Sequence, residues 1–379
     1  MDFKLTEEQE LIRKNVREFC TKNVDPIALE IDENSRHPVE LFQKLSEGGW
    51  MGIPIPPEYG GAGADYLTHI VAVEEFSRSC AATGFTISIH VGICCMLILL
   101  FGTEEQKKKY LTPMAQGKHL GAFSLTEPGA GTDVLAATTT AVLDGNEYVI
   151  NGTKVFTSNG PTAETYLVFA YTDKAVGRKG MSAFIVPRNA PGLRVGEHLK
   201  KMAIRSSQTS EMVYKDCRVP KENLLSKEGM GLQMAMTGFD HGRIGIAAQC
   251  VGIIQACLEE SVRYAKERVQ FGVPIARHQA VAWMISDMAT ELNAARFLTY
   301  NAAWLKDNKQ PFSKEAAMAK LYGSEAAMKH ATKAVQIYGG YGYCKGAKVE
   351  KLFREAKFTE IGEGTSEAQR MVISGNVLR

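Results

Sequence analysis

Residues 138 to 160 read TTTAVLDGNEYVINGTKVFTSNG, where Asp144-Gly145 and Asn151-Gly152 divide β-prone runs into pieces of strand length. Asp-Gly and Asn-Gly are the strongest short-range signals of a two-residue hairpin, because both central residues of that turn need positive φ. The runs TYLVFAYTD, GMSAFIVPR and SEMVYKDCRV extend the pattern to about residue 220. A compact all-β unit, a barrel or a sandwich, is therefore expected in the middle of the chain.

The flanks have the other period. Thr6 and Gln9 form a capping box, and Leu11, Ile12, Val16 and Phe19 then recur on one helical face. GIPIPPEYGGAGADY, 52 to 66, has the Pro and Gly density of a loop, and Thr103 is the expected cap of the helix that follows it in GTEEQKKKYL. Beyond Gly231, amphipathic tracts at 233–267, 278–307 and 313–337 and a shorter end segment suffice for a four-helix bundle. The expected fold class is α+β. Its three parts are an N-terminal α-helical domain over 1–117, a central β-barrel over 118–225 and a C-terminal four-helix bundle over 226–379. A chain of 379 residues exceeds what one core usually supports, which agrees with several domains.

Charge removes some functional classes. Lys and Arg number 44 against 42 Asp and Glu, without a basic block, so nucleic acid is not expected as a partner. The start MDFKLTEEQELIRKNVREF has no apolar h-region, and a cytoplasmic address is expected. VGICCMLILLF, 91 to 101, falls short of the ~20 residues a membrane span needs and reads as a buried core helix. None of the eight cysteines forms a C-x-x-C pair, and the eight histidines lack the spacing of a metal-binding helix, so neither disulfides nor a metal is expected.

Two stretches concentrate chemistry. AFSLTEPGAGTD, 122 to 133, gathers hydroxyls and glycines where the β region begins, and KFTEIGEGTSEAQR, 357 to 370, sets Glu363 between Gly362 and Gly364. An ordinary reading exists for each: a Gly-rich connection for the first, and for the second a lead-in loop to a helix capped by Ser366 with Gln369. No G-x-G-x-x-G in a strand-turn-helix setting and no phosphate-binding loop motif occurs, so any nucleotide cofactor must be held in another way.

LTEPGAGTD at 125–133, DHGRIGIAAQ at 240–249, ERVQFG at 267–272, AVQIYGGYGY at 334–343 and EGTSEAQR at 363–370 together resemble the acyl-CoA dehydrogenase family, in its order and spacing, bacterial butyryl-CoA dehydrogenases above all. The resemblance implies FAD as cofactor, an acyl-CoA or enoyl-CoA substrate, electron exchange with an electron-transfer flavoprotein, and a homo-oligomer, expected as a tetramer. It makes Glu363 the base that takes the Cα proton, while the position that carries the base in some relatives is Gly242 here. It places Phe123, Leu125, Thr126, Gly131, Thr132, Phe156 and Ser158 beside the flavin ring system, with Thr365 and Glu367 also contacting the cofactor. Arg268, Phe271, Gln336 and Gly340 would hold the adenylate half across a subunit interface. Thr132, Asp240, Arg243, Gly362 and Gly364 would meet substrate, although Asp240 and Arg243 also read as a surface ion pair opening a helix.

Three departures from the family pattern concern the acyl group. Gly362 stands where Tyr is common, CKGAKVEK replaces an acidic-Tyr-Pro run, and Gly92, Cys94 and Cys95 are small. Deletion of a ring beside the base reads as space for an aryl group, as in a subunit like caffeyl-CoA reductase of an electron-bifurcating complex, with a short chain such as butyryl as the other choice. Two further classes stay open: an acyl-CoA oxidase, separable by its reoxidation in air, and a non-catalytic flavoprotein scaffold, which need not bind FAD.

Overall fold

The computed structural model describes residues 4–379. Its first helix, Glu7–Asn23, begins at the expected capping box, with Thr6 accepting from the Gln9 N–H while the Gln9 side chain receives the Thr6 N–H. Thr103 and Gln106 form a second one. The apolar run lies in one continuous helix, Ala81–Phe101, most of which is buried. Its stretch Ser88–Cys95 is wound as π-helix, the kind of irregularity that shifts side chains round the axis and recurs at functional sites.

The middle of the chain forms one seven-stranded sheet. Its strands are β1 (Gly121–Ser124), β2 (Thr140–Asp144), β3 (Glu147–Ser158), β4 (Thr165–Tyr171), β5 (Met181–Pro187), β6 (Leu193–His198) and β7 (Thr209–Pro220). They lie in the order β1-β4-β2-β3-β7-β6, with β5 also paired to β4. Only the first Xaa-Gly pair makes a hairpin: Asp144 pairs with Glu147 and Gly145 has φ 62°. The expected turn at Asn151-Gly152 is instead a bulge inside β3, where the register against β7 shifts between Ile150 and Gly152. The Asn151 side chain accepts from the Asp216 N–H and donates to the Asp216 carboxylate, which fixes the bulge to the neighbouring strand. Glycine is required there, because a Cβ at Gly152 would lie 2.3 Å from Thr139 Oγ1.

The C-terminal tracts form the helices Gly231–Glu267, Gln279–Asp307 and Ser313–Tyr338, followed by Lys348–Thr359 and Ser366–Val377. Buried ions clamp these helices to the N-terminal ones. Glu74, 2 % exposed, accepts from Arg296 at 2.8 Å and from Tyr300 Oη at 2.7 Å, and Arg78 of the Tyr66–Ser79 helix pairs with Glu259 of the Gly231–Glu267 helix at 3.2 Å. The sheet is tied in by His90 of the π-helical stretch, whose Nδ1 accepts from the Gly121 N–H at the start of β1. Along Gln279–Asp307, Trp283, Phe297 and Trp304 recur at multiples of seven and are exposed, one apolar stripe on the outside of the bundle.

The bulge and the hairpin should separate under mutation. Gly152→Ala is expected to lower stability by about 1–3 kcal/mol through overpacking against Thr139, whereas Gly145→Ala should cost only about 1–2 kcal/mol, from its positive φ, since a Cβ there meets nothing within 4 Å. Denaturant midpoints of the two variants check this.

Candidate functional site

The chain leaves the Lys348–Thr359 helix with the Gly362 N–H still donating to the Phe358 carbonyl, at 2.9 Å. Glu363 and Gly364 follow with φ of 56° and 93°. A non-glycine residue at positive φ costs about 1–3 kcal/mol and persists only where its surroundings hold it. Here they do. The Gly364 carbonyl accepts from Lys320 Nζ at 2.6 Å and from Gln369 Nε2 at 2.9 Å, and Gln369 also reaches the Glu363 carbonyl at 3.4 Å. Gln369 is therefore not half of a capping box with Ser366. The helix cap is Thr365, which accepts from the Ala368 N–H, and Ser366 is the first helical residue.

The reversed turn aims the carboxylate at the Gly231–Glu267 helix. A Cβ at Gly242 would stand 2.8 Å from Glu363 Oε2 and 2.8 Å from Ile93 Cδ1, so glycine there makes room for the acid. Oε2 is buried without a hydrogen-bond partner. Burial lifts the carboxyl to about 7, against the opposing pull of the nearby Arg243 and Lys320 cations. Lys320 is itself fully buried, which lowers it to about 8. Asp240 and Arg243 form a contact of 2.5 Å, and Asp240 also accepts from Ser313 Oγ. They do not open a helix at the surface: both lie well inside Gly231–Glu267, Arg243 is 8 % exposed, and burial pushes the acid up and the guanidinium down.

The expected void at Gly362 is closed. Phe358 Cζ lies 2.5 Å from where a Cβ would sit, with its ring packed edge-on against Phe85, so a neighbour on the same strand of chain fills the place of the absent aromatic. Gly362 has no positive φ. Ile93, which meets Gly242 beside the carboxylate, continues one helical turn away into an apolar contact with Leu97 and Phe123, all three within 3.6 Å of a Cβ built at Gly238.

Phe123 lies on β1 and packs against Phe169 and Phe239. Beyond it, Leu125 and Thr126 are held by backbone: the Leu125 carbonyl accepts from Lys154 Nζ at 2.9 Å and the Thr126 carbonyl from the Val155 N–H at 2.8 Å. The anchor is a buried ion pair, Glu127 to Lys154 at 2.8 Å, with both side chains almost without exposure. Glu127 also accepts from the N–H groups of Thr138 and Thr139, and although burial alone would raise it, these donors and Lys154 bring its carboxyl down to about 2. Glu127, Lys154 and Lys320 were not singled out in the sequence. A lysine on the inward face of an alternating strand was the available signal for Lys154.

Gly131 and Thr132 lie exposed in the following loop. Phe156, on β3, has φ 55° and leaves its ring 67 % exposed, with Ser158 half-buried two residues on. Phe271 has φ 53° at the tip of the short Val269–Pro274 hairpin and is 94 % exposed. Strained backbone that presents an aromatic ring outward suits a flat partner. Arg268 and Gly340 line one cavity of about 420 Å³ with Tyr264, Tyr338 and Tyr341, and Gln336 is exposed one turn before Gly340. An arginine fork beside an open glycine backbone suits a diphosphate, so the residues present fit the two halves of FAD. Thr365 is committed to capping, and Glu367 is exposed in the first turn it caps.

Three family models match consecutive segments: the N-terminal domain of acyl-CoA dehydrogenase over 6–118, the middle domain over 122–217 and the C-terminal domain over 229–378. The chain is 51 % identical over 379 residues to the short-chain specific acyl-CoA dehydrogenase of Clostridium acetobutylicum, covering 100 % of both. Butyryl-CoA dehydrogenase from Megasphaera elsdenii superposes with a TM-score of 0.98 at 44 % identity over the full length of both chains. A structure described with the electron transferring flavoprotein of Acidaminococcus fermentans, in work on flavin-based electron bifurcation, gives 0.99 at 50 % identity, again covering 100 % of both.

The raised carboxyl makes stability depend on pH. Folding lifts Glu363 from an ordinary 4.5 to about 7, so between those values the folded chain holds a proton that the unfolded chain has lost. Stability should fall as pH rises through that window. In Glu363→Gln this component is expected to disappear, so that the variant gains on the parent at pH 8 relative to pH 5. Thermal midpoints of the flavin-loaded protein at the two pH values measure it.

Proposed function

The chain belongs to the acyl-CoA dehydrogenase family, an FAD-dependent oxidoreductase family acting on acyl-CoA, and from that premise we propose that it interconverts acyl-CoA and trans-2-enoyl-CoA with Glu363 as the base. The observation that carries the proposal is the buried, unpaired Oε2 of Glu363 facing Gly242, with its carboxyl lifted to about 7. An acid poised near neutrality is matched to taking and returning a proton at the weakly acidic Cα of a thioester. Arg243 and Lys320 moderate that rise, so that a useful fraction is ionised at neutral pH. The Glu363 N–H, turned by the positive φ, is the donor proposed for the thioester carbonyl, where charge develops as the proton leaves. FAD, when bound, supplies the acceptor for the hydride from Cβ. The chain's part is to hold that cofactor, with Phe123, Leu125, Thr126, Gly131, Thr132, Phe156 and Ser158 toward its ring system, Thr365 and Glu367 beside it, and Arg268, Phe271, Gln336 and Gly340 toward its adenylate.

The acyl group is proposed to run from Glu363 past Gly242 along Ile93 and Leu97, since Phe358 bars the route across Gly362. Tyr at position 362 would have to displace that ring, which removes the earlier case for an aryl pocket at this point. A short chain fits that apolar route, as the names of the Clostridium and Megasphaera relatives also suggest. The likeness to the Acidaminococcus structure supports an electron-transfer flavoprotein as redox partner. The apolar stripe Trp283, Phe297 and Trp304 supports association of copies of this chain, proposed as a tetramer.

Glu363→Gln is expected to keep FAD and thioester binding while turnover of crotonyl-CoA with a reduced flavin partner falls at least ~10²-fold, the lower range for a positioned general base. Turnover near that of the parent would mean that another group takes the proton.

A further inference from the structure

The Gln369 amide already donates to the Gly364 carbonyl at 2.9 Å, yet the same oxygen also takes the ammonium of Lys320 at 2.6 Å. The second donor is the costly one. Lys320 has no exposure, and among the described residues it forms no ion pair, its hydrogen bond being to this carbonyl. Taking an ammonium out of water without a counter-ion is strongly unfavourable. Nothing on its own helix calls for it, since Ala316, Ala317, Gly323 and Ser324 around it are buried and small. A hydrogen bond alone does not account for the lysine, because Gln369 supplies one to the same atom.

What an ammonium brings to the turn and an amide does not is charge. Glu363 adjoins Gly364, its Oε2 is buried without a partner, and its φ of 56° needs support from outside the turn. Titratable groups act on this carboxylate from three helices: Cys94 on Ala81–Phe101, Arg243 on Gly231–Glu267 and Lys320 on Ser313–Tyr338. Cys250 and Glu360 act in turn on Lys320. Burial pushes the Cys94 thiol well up and Cys250 up to about 12, so both stay uncharged. Arg243 already meets Asp240, which leaves Lys320 as the cation beside the carboxylate without an acid of its own.

We propose that Lys320 is a positioning residue for the proton transfer, its buried ammonium both fixing the turn that carries Glu363 and holding that carboxylate ionised. This role presupposes Glu363 as the base. The hydrogen bond secures the Gly364 carbonyl and, through it, the reversed backbone from which the Glu363 side chain and N–H project. The charge favours the ionised carboxylate over the protonated one, which opposes the effect of burial. Lys320 does not take the proton itself, for an ammonium has no lone pair.

The two actions are read separately in the rate at which butyryl-CoA reduces the bound flavin between pH 5 and 9, where the midpoint reports the charge and the alkaline plateau reports the geometry. The flavin-loaded parent is compared with Lys320→Met, which removes donor and charge at similar length, with Lys320→Gln, which removes the charge, and with Lys320→Arg, which keeps it. The parent rate should rise with a midpoint near pH 7. In the methionine and glutamine variants the midpoint should move up by about one pH unit, the lower range for a nearby opposite charge, so that the rate at pH 7 falls about fivefold or more. The plateau should fall further in the methionine variant than in the glutamine one, and Lys320→Arg should keep the midpoint of the parent. Either uncharged variant that retains FAD decides the matter. A midpoint unmoved in it, with only flavin content or thermal stability reduced, would overturn the inference, as would loss of FAD from both, which would make the lysine a structural residue. Flavin reduction that survives in Glu363→Gln would instead overturn the proposed function, and this inference with it.

Discussion

Lys320 donates to the Gly364 carbonyl from a fully buried position, and this bond decides where the neighbouring carboxylate lies. Glu363 sits in a left-handed conformation that its own side chain disfavours, so something outside the turn must hold it. The Lys320 ammonium does so at the carbonyl and at the same time contributes the positive charge that keeps burial from lifting the acid further. One side chain therefore sets both the position and the proton affinity of the group. Arg243, whose own charge is met by Asp240, supplies the second moderating cation.

The site forms only where all three parts of the chain meet. Ile93 and Leu97 come from the N-terminal helices, Phe123 from the sheet, and Gly238 and Gly242 from the long C-terminal helix. Glu127 and Lys154 perform for the sheet edge what Lys320 performs for the turn. A lone charge in either place would be destabilising by several kcal/mol, but as a pair with backbone partners they fix the Leu125–Glu127 segment. Clamps such as Glu74 to Arg296 keep the helical layers from sliding relative to that edge.

Much of this was legible in the residues. Helix periods, the caps at Thr6 and Thr103, and the hairpin at Asp144-Gly145 depend on local interactions, which a sequence displays directly. The misreadings involve a partner distant in sequence, a choice between equivalent local bonds, or a neighbouring ring whose rotamer the sequence does not give. Asn151-Gly152 looks like a turn, but the strand continues because Asp216 of β7 occupies the Asn151 side chain. Ser366 with Gln369 has capping-box spacing, yet Gln369 is drawn to the carbonyls of Glu363 and Gly364, and Thr365 caps instead. Gly362 reads as a deletion that leaves a hole, whereas Phe358, one helical turn earlier, closes it. Glu363 stood out because glycine on both sides is rare around an acid, while the buried lysines beside it look in sequence like any other helix or strand lysine.

The central claim is that Glu363 takes the Cα proton with a carboxyl held near neutrality by burial. It is tested most directly by exchange of that proton for deuterium in a thioester bound to the flavin-loaded protein in heavy water. The account predicts exchange that rises with a midpoint near pH 7, set by the Glu363 carboxyl, and that is lost in Glu363→Gln. Exchange that continues in the glutamine variant, or a midpoint at the ordinary carboxylate value near 4.5, would contradict it.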